Sequence, residues 1–456
     1  MRRSLAASLA HPLIAAALFS AVLAASCLSC ARAQAPAPPI PTNPASPGPI
    51  FDYVAAPDPS FRYEVTQSPT NGIAGQWRIE MDSQTWQGIL WHHRIAVIIP
   101  DQLTHPETAF LFITGGNPDR QLMAIGSVLA SSLGLPVAVL GDIPNQPLFG
   151  NLHEDGLIAY TFSKFLETHD PTWPALFPMT KSAVRAMDAL QAISAQRWGR
   201  KIESFIVAGA SKRGWTTWFT SVVDPRVRAA LPMVYNNLNL PAQMKHQIQQ
   251  WGAYSEQIDD YTRRGLPDLV SSEAGKQLAA MVDPYTYRDR ATMPKLIIAG
   301  ANDPYWPVDA ASDYFADLKG PSYLLHLPNS GHGMNDQTRL LKGVVGFMAG
   351  VLGEYPLPTL QWTIDRTPAG ATLKLSSNPA PQEVLAWVAH SDTTDFRKSR
   401  WESSPATATD GQWSFTVPTP DKDHVAFYLE ADYRLGTREL PLTTEVYLVN
   451  PPAAAP

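Results

Sequence analysis

Between residues 94 and 327 the chain alternates short apolar runs of strand length with longer stretches of helical apolar period, and this alternation narrows the possible folds more than any other feature. The strand-like runs lie at residues 94–99, 108–114, 136–140, 204–208, 229–235, 295–299 and 323–327. They are apolar at consecutive positions, so both of their faces must be covered. The reading is a mostly parallel sheet with helices on both faces, an α/β architecture. Thr180 is expected to cap one of those helices, ahead of apolar Val184, Met187 and Leu190. Residues 236–290 interrupt the pattern with a polar, aromatic-bearing stretch. It is too long for a plain connection and is expected to form a helical cap.

Pro356 and Pro358 mark a change of period. Beyond them Trp413, Phe415 and Val417 alternate with polar residues, as do Val425, Phe427, Leu429 and Ala431. Short period-two runs separated by turn residues predict an antiparallel β-sandwich over residues 356–452. The expected organisation is therefore a first domain at 50–355, with its cap, followed by this sandwich. A length of 456 residues suits two such cores.

The N-terminus reads as an export signal over residues 1–33. Arg2 and Arg3 precede an apolar stretch at 13–25 that is too short to span a bilayer, and Ala31-Arg32-Ala33 offers a cleavage point before Gln34. The Arg2-Arg3 pair also leaves a twin-arginine signal open. Both cysteines, Cys27 and Cys30, precede that cut, so the mature chain would carry no thiol. Acylation of Cys27, giving a lipoprotein, is the rival reading. Residues 34–49 are Ala- and Pro-rich and read as a linker. The expected location is periplasmic or extracellular, with no transmembrane segment. A net charge of -6 without a basic patch argues against nucleic acid as a partner.

The chemistry gathers at strand ends. Gly209-Ala210-Ser211-Lys212-Arg213-Gly214 follows a strand and opens a helix, the setting of a nucleophile elbow. The usual glycine two places after the serine is replaced by Arg213, with Gly214 one place later. Asp303 follows the next-to-last strand of this domain and His332 follows the last, in Asn329-Ser330-Gly331-His332-Gly333. A serine nucleophile needs an imidazole to take its proton and a carboxylate to orient that imidazole, and the order Ser, Asp, His is that of α/β-hydrolases. Asp309 and Asp313 are alternatives for the acid, but they fall in what reads as a helix. The oxyanion donors are assigned to the Lys212 N–H and to the loop Gly115-Gly116-Asn117, with Gly116 and Asn117 as its donors. Arg213, Tyr305 and Trp306 are candidate substrate contacts, and Trp251 and Tyr254 could join them beneath the cap. The Lys212 ammonium is expected to favour substrates that carry negative charge. No His, Asp or Glu cluster has metal spacing, so no metal and no cofactor are expected.

Several stretches together resemble the PhoPQ-activated pathogenicity-related proteins. They are Pro144 to Leu148, Glu154-Asp155 with Ala159-Tyr160-Thr161, Pro178 to Lys181, Ala186-Met187-Asp188, Gly209 to Trp218, and Asp283-Pro284-Tyr285. The resemblance implies an exported α/β-hydrolase-like protein, linked in bacteria to envelope stress and resistance to cationic peptides. It does not fix a substrate, and some eukaryotic relatives look like secreted growth-regulating factors. The elbow is also similar to that of glucuronoyl esterases, where a basic residue follows the nucleophile. The reading is a serine hydrolase acting on an ester, with an amide (a peptidase) or a non-enzymatic secreted binding protein as alternatives.

Overall fold

The computed structural model describes residues 47–452. The export signal, Cys27 and most of the linker lie outside the described residues. One edge of the central sheet is antiparallel, from β1 (Arg62–Gln67), β2 (Gly75–Trp86) and β3 (Ile89–Ile99). The following strands are β4 (Thr108–Ile113), β5 (Val137–Leu140), β6 (Ser204–Ala210), β7 (Val227–Met233), β8 (Lys295–Gly300) and β9 (Ser322–Leu327). Across the sheet they run β3-β5-β4-β6-β7-β8-β9, and all pairings from β5 to β9 are parallel. With β2 as the first strand, this is the strand order of the α/β-hydrolase fold.

Neighbouring residues on these strands enter different cores. Leu111, Val207, Ile297 and Leu324 face one apolar cluster, while Phe110, Ile206, Ile298 and Leu325 face another on the opposite side. Burial on both faces explains why these strands carry no polar alternation. The helix Lys212–Val223 is buried from Lys212 through Val222, against β6, β7 and the helix Leu176–Arg197. Thr180 does not cap that last helix. The helix starts four residues earlier, and the Thr180 hydroxyl donates back to the Leu176 carbonyl at 2.7 Å. A threonine inside a helix satisfies its hydroxyl in this way, so its presence does not mark a start. Between β7 and β8 the chain forms the helices Leu240–Trp251 and Glu273–Val282, with shorter turns between them.

The C-terminal strands are β10 (Thr359–Thr367), β11 (Gly370–Asn378), β12 (Glu383–Ser391), β13 (Trp401–Pro405), β14 (Thr407–Thr409), β15 (Gln412–Pro418), β16 (His424–Leu435), β17 (Arg438–Thr443) and β18 (Tyr447–Val449). All their pairings are antiparallel. β10, β11, β15 and β14 form a separate four-stranded sheet. The other sheet is not separate: β17 pairs with β9 through Thr443 and Leu324, so the central sheet continues through β17, β16, β12 and β13. Leu325 and Phe347 share one apolar cluster with Leu373, Phe427, Leu429 and Leu442. Among the described residues no helix is long and apolar enough to cross a membrane.

Candidate active site

β6 ends at Ala210, and the helix after it begins at Lys212, leaving Ser211 to make the whole turn. Its backbone sits at φ 58 and ψ −125, a conformation that costs a non-glycine residue free energy and persists only where the surroundings enforce it. The Ser211 N–H donates to the Met233 carbonyl at the end of β7, at 2.9 Å. A Cβ on Gly209 would lie 2.5 Å from the Arg213 carbonyl oxygen and 2.8 Å from its Cβ, so glycine at this position lets the strand and the helix approach closely.

Asp303 follows β8, in a loop where its carboxylate accepts the Tyr305 N–H at 2.9 Å. His332 follows β9 and its Nδ1 donates to Asp303 Oδ2 at 2.8 Å. That bond puts the ring proton on Nδ1 and leaves a lone pair on Nε2. Nε2 is buried and has no hydrogen-bond partner among the described residues. The Tyr305 ring stacks on the imidazole at 4.1 Å and fixes its plane. Ser211 and His332 line the same cavity, together with Lys212, Tyr305 and Trp306. Trp251 and Tyr254 do not line it; Trp251 lies beneath the Arg397 guanidinium at 4.3 Å.

The two alternative acids are engaged elsewhere. Asp309 and Asp313 hold His246 of the cap from both ring nitrogens, at 3.0 and 2.7 Å. Burial alone would lower the His246 pKa, but the two carboxylates overcome it and raise the pKa to about 10.

The basic pair after the serine is engaged by two acids. Lys212 Nζ donates to Asp155 at 2.7 Å and lies 3.3 Å from Glu154. Its charge is thus matched at the cavity wall. Arg213 does not line the cavity. It is buried, forks onto Glu154 through two bonds of 2.7 Å, and donates to the Ile143 carbonyl at 2.6 Å. Burial pushes the Glu154 carboxyl up, but the bonds from Arg213 and the charges of Arg213 and Lys212 outweigh this and hold it at about 2. The Arg213 guanidinium runs directly under Gly115, where a Cβ would collide with it at 1.8 Å. Arg213 therefore supports the loop after β4 from below. In that loop Gly116 and Asn117 are exposed and are not on the cavity wall, whereas Lys212 is. The Lys212 N–H belongs to the first turn of its helix and has no intrahelical acceptor.

Sequence reasoning missed the roles of Asp155, Asn237 and Tyr261 on the cavity wall. The Tyr261 hydroxyl donates to Asp155 at 3.0 Å, joining the cap to the helix Glu154–Thr168 and to Lys212. The Glu154-Asp155 pair stands out as two acids opening a helix, which a helix dipole favours on its own, so their second use is not legible locally.

A family model described as PhoPQ-activated pathogenicity-related protein matches residues 50–397. Autocrine proliferation repressor protein A of Dictyostelium discoideum is 33% identical over 448 residues, covering 88% of this chain and 90% of that protein. Among solved structures, an acetyl xylan esterase from Paenibacillus sp. R4 is similar over 62% of this chain and 87% of its own, at 15% identity and a TM-score of 0.45. Acetyl xylan esterase 1 from Thermoanaerobacterium sp. covers 66% of this chain and 91% of its own, at 12% identity and a TM-score of 0.46.

Proposed function

The chain belongs to the PhoPQ-activated pathogenicity-related protein family, and from that premise we propose that it is an exported serine hydrolase that cleaves an ester through an acyl-Ser211 intermediate. One observation carries the reading: a serine held at a strained elbow shares a cavity wall with a histidine whose other nitrogen is bound to a buried carboxylate. His332 Nε2 takes the Ser211 proton as Oγ attacks the substrate carbonyl, and returns it to the departing alcohol. Asp303 holds the Nδ1–H tautomer and stabilises the imidazolium formed between these steps. The Lys212 N–H donates to the oxyanion. Water then repeats the sequence on the acyl-enzyme, releasing the acid and restoring Ser211. The export signal read in residues 1–33 would set this chemistry outside the cytoplasm.

A second reading, a secreted signalling protein on a hydrolase scaffold, is favoured by the long match to a protein named as a proliferation repressor. A fluorophosphonate followed by peptide mapping separates the two. The hydrolase reading expects an adduct on Ser211 that Asp303→Asn slows. A folded protein that stays unlabelled would overturn it in favour of the signalling reading.

A further inference from the structure

We propose that Tyr305 is a positioning residue that acts through His332: the face of its ring stabilises the imidazolium more than the neutral imidazole, and so lowers the barrier each time His332 accepts a proton. This rests on the hydrolase reading above. The two ring centres lie 4.1 Å apart with their planes 30° from parallel, so one face of the imidazole is covered while its edges stay open. Nδ1 still reaches Asp303, and Nε2 has no hydrogen-bond partner among the described residues. A neutral imidazole in this stack gains ordinary ring contact. Once protonated it is a cation over the negative face of a phenol, well inside the roughly 6 Å over which that attraction is felt. An interaction that strengthens as the proton arrives is one that speeds the step. It serves acylation and deacylation alike, because the same imidazolium forms in both.

The fold holds the ring still. The Tyr305 N–H donates to Asp303 Oδ1 at 2.9 Å, and its carbonyl accepts from the Gln247 side chain at 3.2 Å. The Pro304 carbonyl accepts from the Ser255 hydroxyl at 2.6 Å. Gln247 and Ser255 belong to the cap, so the cap anchors the backbone on which the ring is carried. On its other side Tyr305 meets the Trp306 ring at 6.0 Å. Trp306 meets Tyr235 at 6.5 Å, and Tyr235 stacks at 4.9 Å on Trp215, in the helix that follows Ser211. A series of ring contacts thus backs the imidazole and ends on the elbow helix.

The surrounding charges suit a transient cation. Asp303 binds Nδ1 directly. Burial, followed by the carboxylates of Asp155, Asp303, Glu154 and Asp260, pushes the Tyr305 phenol up to about 12, so the ring stays neutral while the imidazole gains and loses its proton. Lys212, the lysine on the cavity wall, is already matched by Asp155 and Glu154. Asp336, four residues after His332, is paired with Arg339. The new charge on His332 is therefore met by one carboxylate at its edge and one neutral aromatic ring on its face.

The test is the pH dependence of kcat/KM for 4-nitrophenyl acetate. Tyr305→Leu should lower the plateau by about fivefold and move the acid limb to lower pH by about half a unit to one unit, because the imidazolium has lost its ring. Tyr305→Phe, which keeps the ring, should recover the plateau to within about twofold of wild type. Phenylalanines carrying one, two or three ring fluorines at position 305 withdraw electron density from the face with little change in size. Rate and acid limb should fall together as fluorines are added, a response that a ring serving only to fill space would not give. The His332 Cε1–H resonance, assigned by its loss in His332→Gln, should titrate in the same order with no substrate present. That order without ester turnover and without fluorophosphonate labelling of Ser211 would remove the hydrolase reading and leave the Tyr305 assignment standing. Turnover with an acid limb that does not move across the fluorinated series, or a Tyr305→Leu variant that loses rate at an unshifted limb, would overturn the assignment alone.

Discussion

The nucleophile and its two partners are held in place by different chemistry. On the nucleophile side the supports are part-buried ion pairs among Glu154, Asp155, Lys212 and Arg213. Arg213 lies between Glu154 and the Gly115 loop, and Lys212 is fixed by Asp155 and Glu154. On the acid and histidine side, besides the Tyr305 ring and N–H, neutral supports come from residues 396–401 of the C-terminal region. Asn302, next to Asp303, donates to the Phe396 and Ser399 carbonyls at 3.1 and 2.7 Å. Asn329, three residues before His332, exchanges two bonds with the Trp401 backbone at 2.9 and 2.8 Å. Ala301 is packed into the same cluster as Phe396, Trp401 and Tyr428. The first set of supports is charged, and the second draws on a C-terminal segment that contributes nothing to the cavity wall. The same C-terminal segment reaches the cap, through Thr394 to the Gln250 carbonyl and Arg397 to Glu256.

The largest expected effect ignores this division. Ser211→Ala should cut turnover of an activated ester by about a thousandfold or more. It should leave the thermal midpoint no lower, because it removes nothing that holds either side. Next comes Glu154→Gln, which leaves the Arg213 guanidinium buried and uncompensated. Breaking a buried pair costs about 3–5 kcal/mol, and exposure of roughly a third of the Glu154 side chain reduces this to about 2 kcal/mol by urea denaturation. The Glu154 pKa is depressed, to about 2 from 4.5, so its stabilisation is complete above pH 4.5 and is lost as pH falls through 2. The variant should accordingly show a flatter loss of stability in acid.

Asn329→Ala probes the other side. It should lower kcat by about tenfold, the cost of a slightly misplaced imidazole, and leave the acid profile unchanged. An effect confined to stability, with kcat intact, would show that the C-terminal strands support the fold and not the histidine. The smallest effect on activity is expected from His246→Gln, because His246 does not line the cavity. The His246 pKa is raised, so its stabilisation is complete below pH 6.5 and is lost as pH rises through about 10. Wild type should lose thermal stability in that alkaline range and the variant should lose little. If both titrate alike, the cap is not tied to the acid-side loop by this imidazolium.

Much of this was legible because buried parallel strands are written as unbroken apolar runs, and because the Ser, Asp and His positions fall at the ends of three of them. β1 and β2 carry no unbroken apolar run; Trp77, Ile79 and Met81 alternate with Arg78, Glu80 and Asp82 in a strand that lies between the edge strand β1 and β3. The destination of Arg213 could not be read, since Glu154 lies 59 residues away and only the fold brings them together. Asn302 and Asn329 look like ordinary loop residues until the C-terminal strands are in place. Pro356 and Pro358 announce a boundary, yet the sheet crosses it at Thr443 and Leu324, which no local pattern signals.

That shared ladder has a consequence for the order in which the molecule is made. The ribosome releases the elbow, the cap and the Asp303 and His332 loops before it releases β12 to β17. A growing chain can thus close its nucleophile turn early, while the acid and histidine loops wait for the last strands to join β9. Until residues 396–401 are made, the Asp303 and His332 loops lack the backbone partners that Asn302 and Asn329 bind.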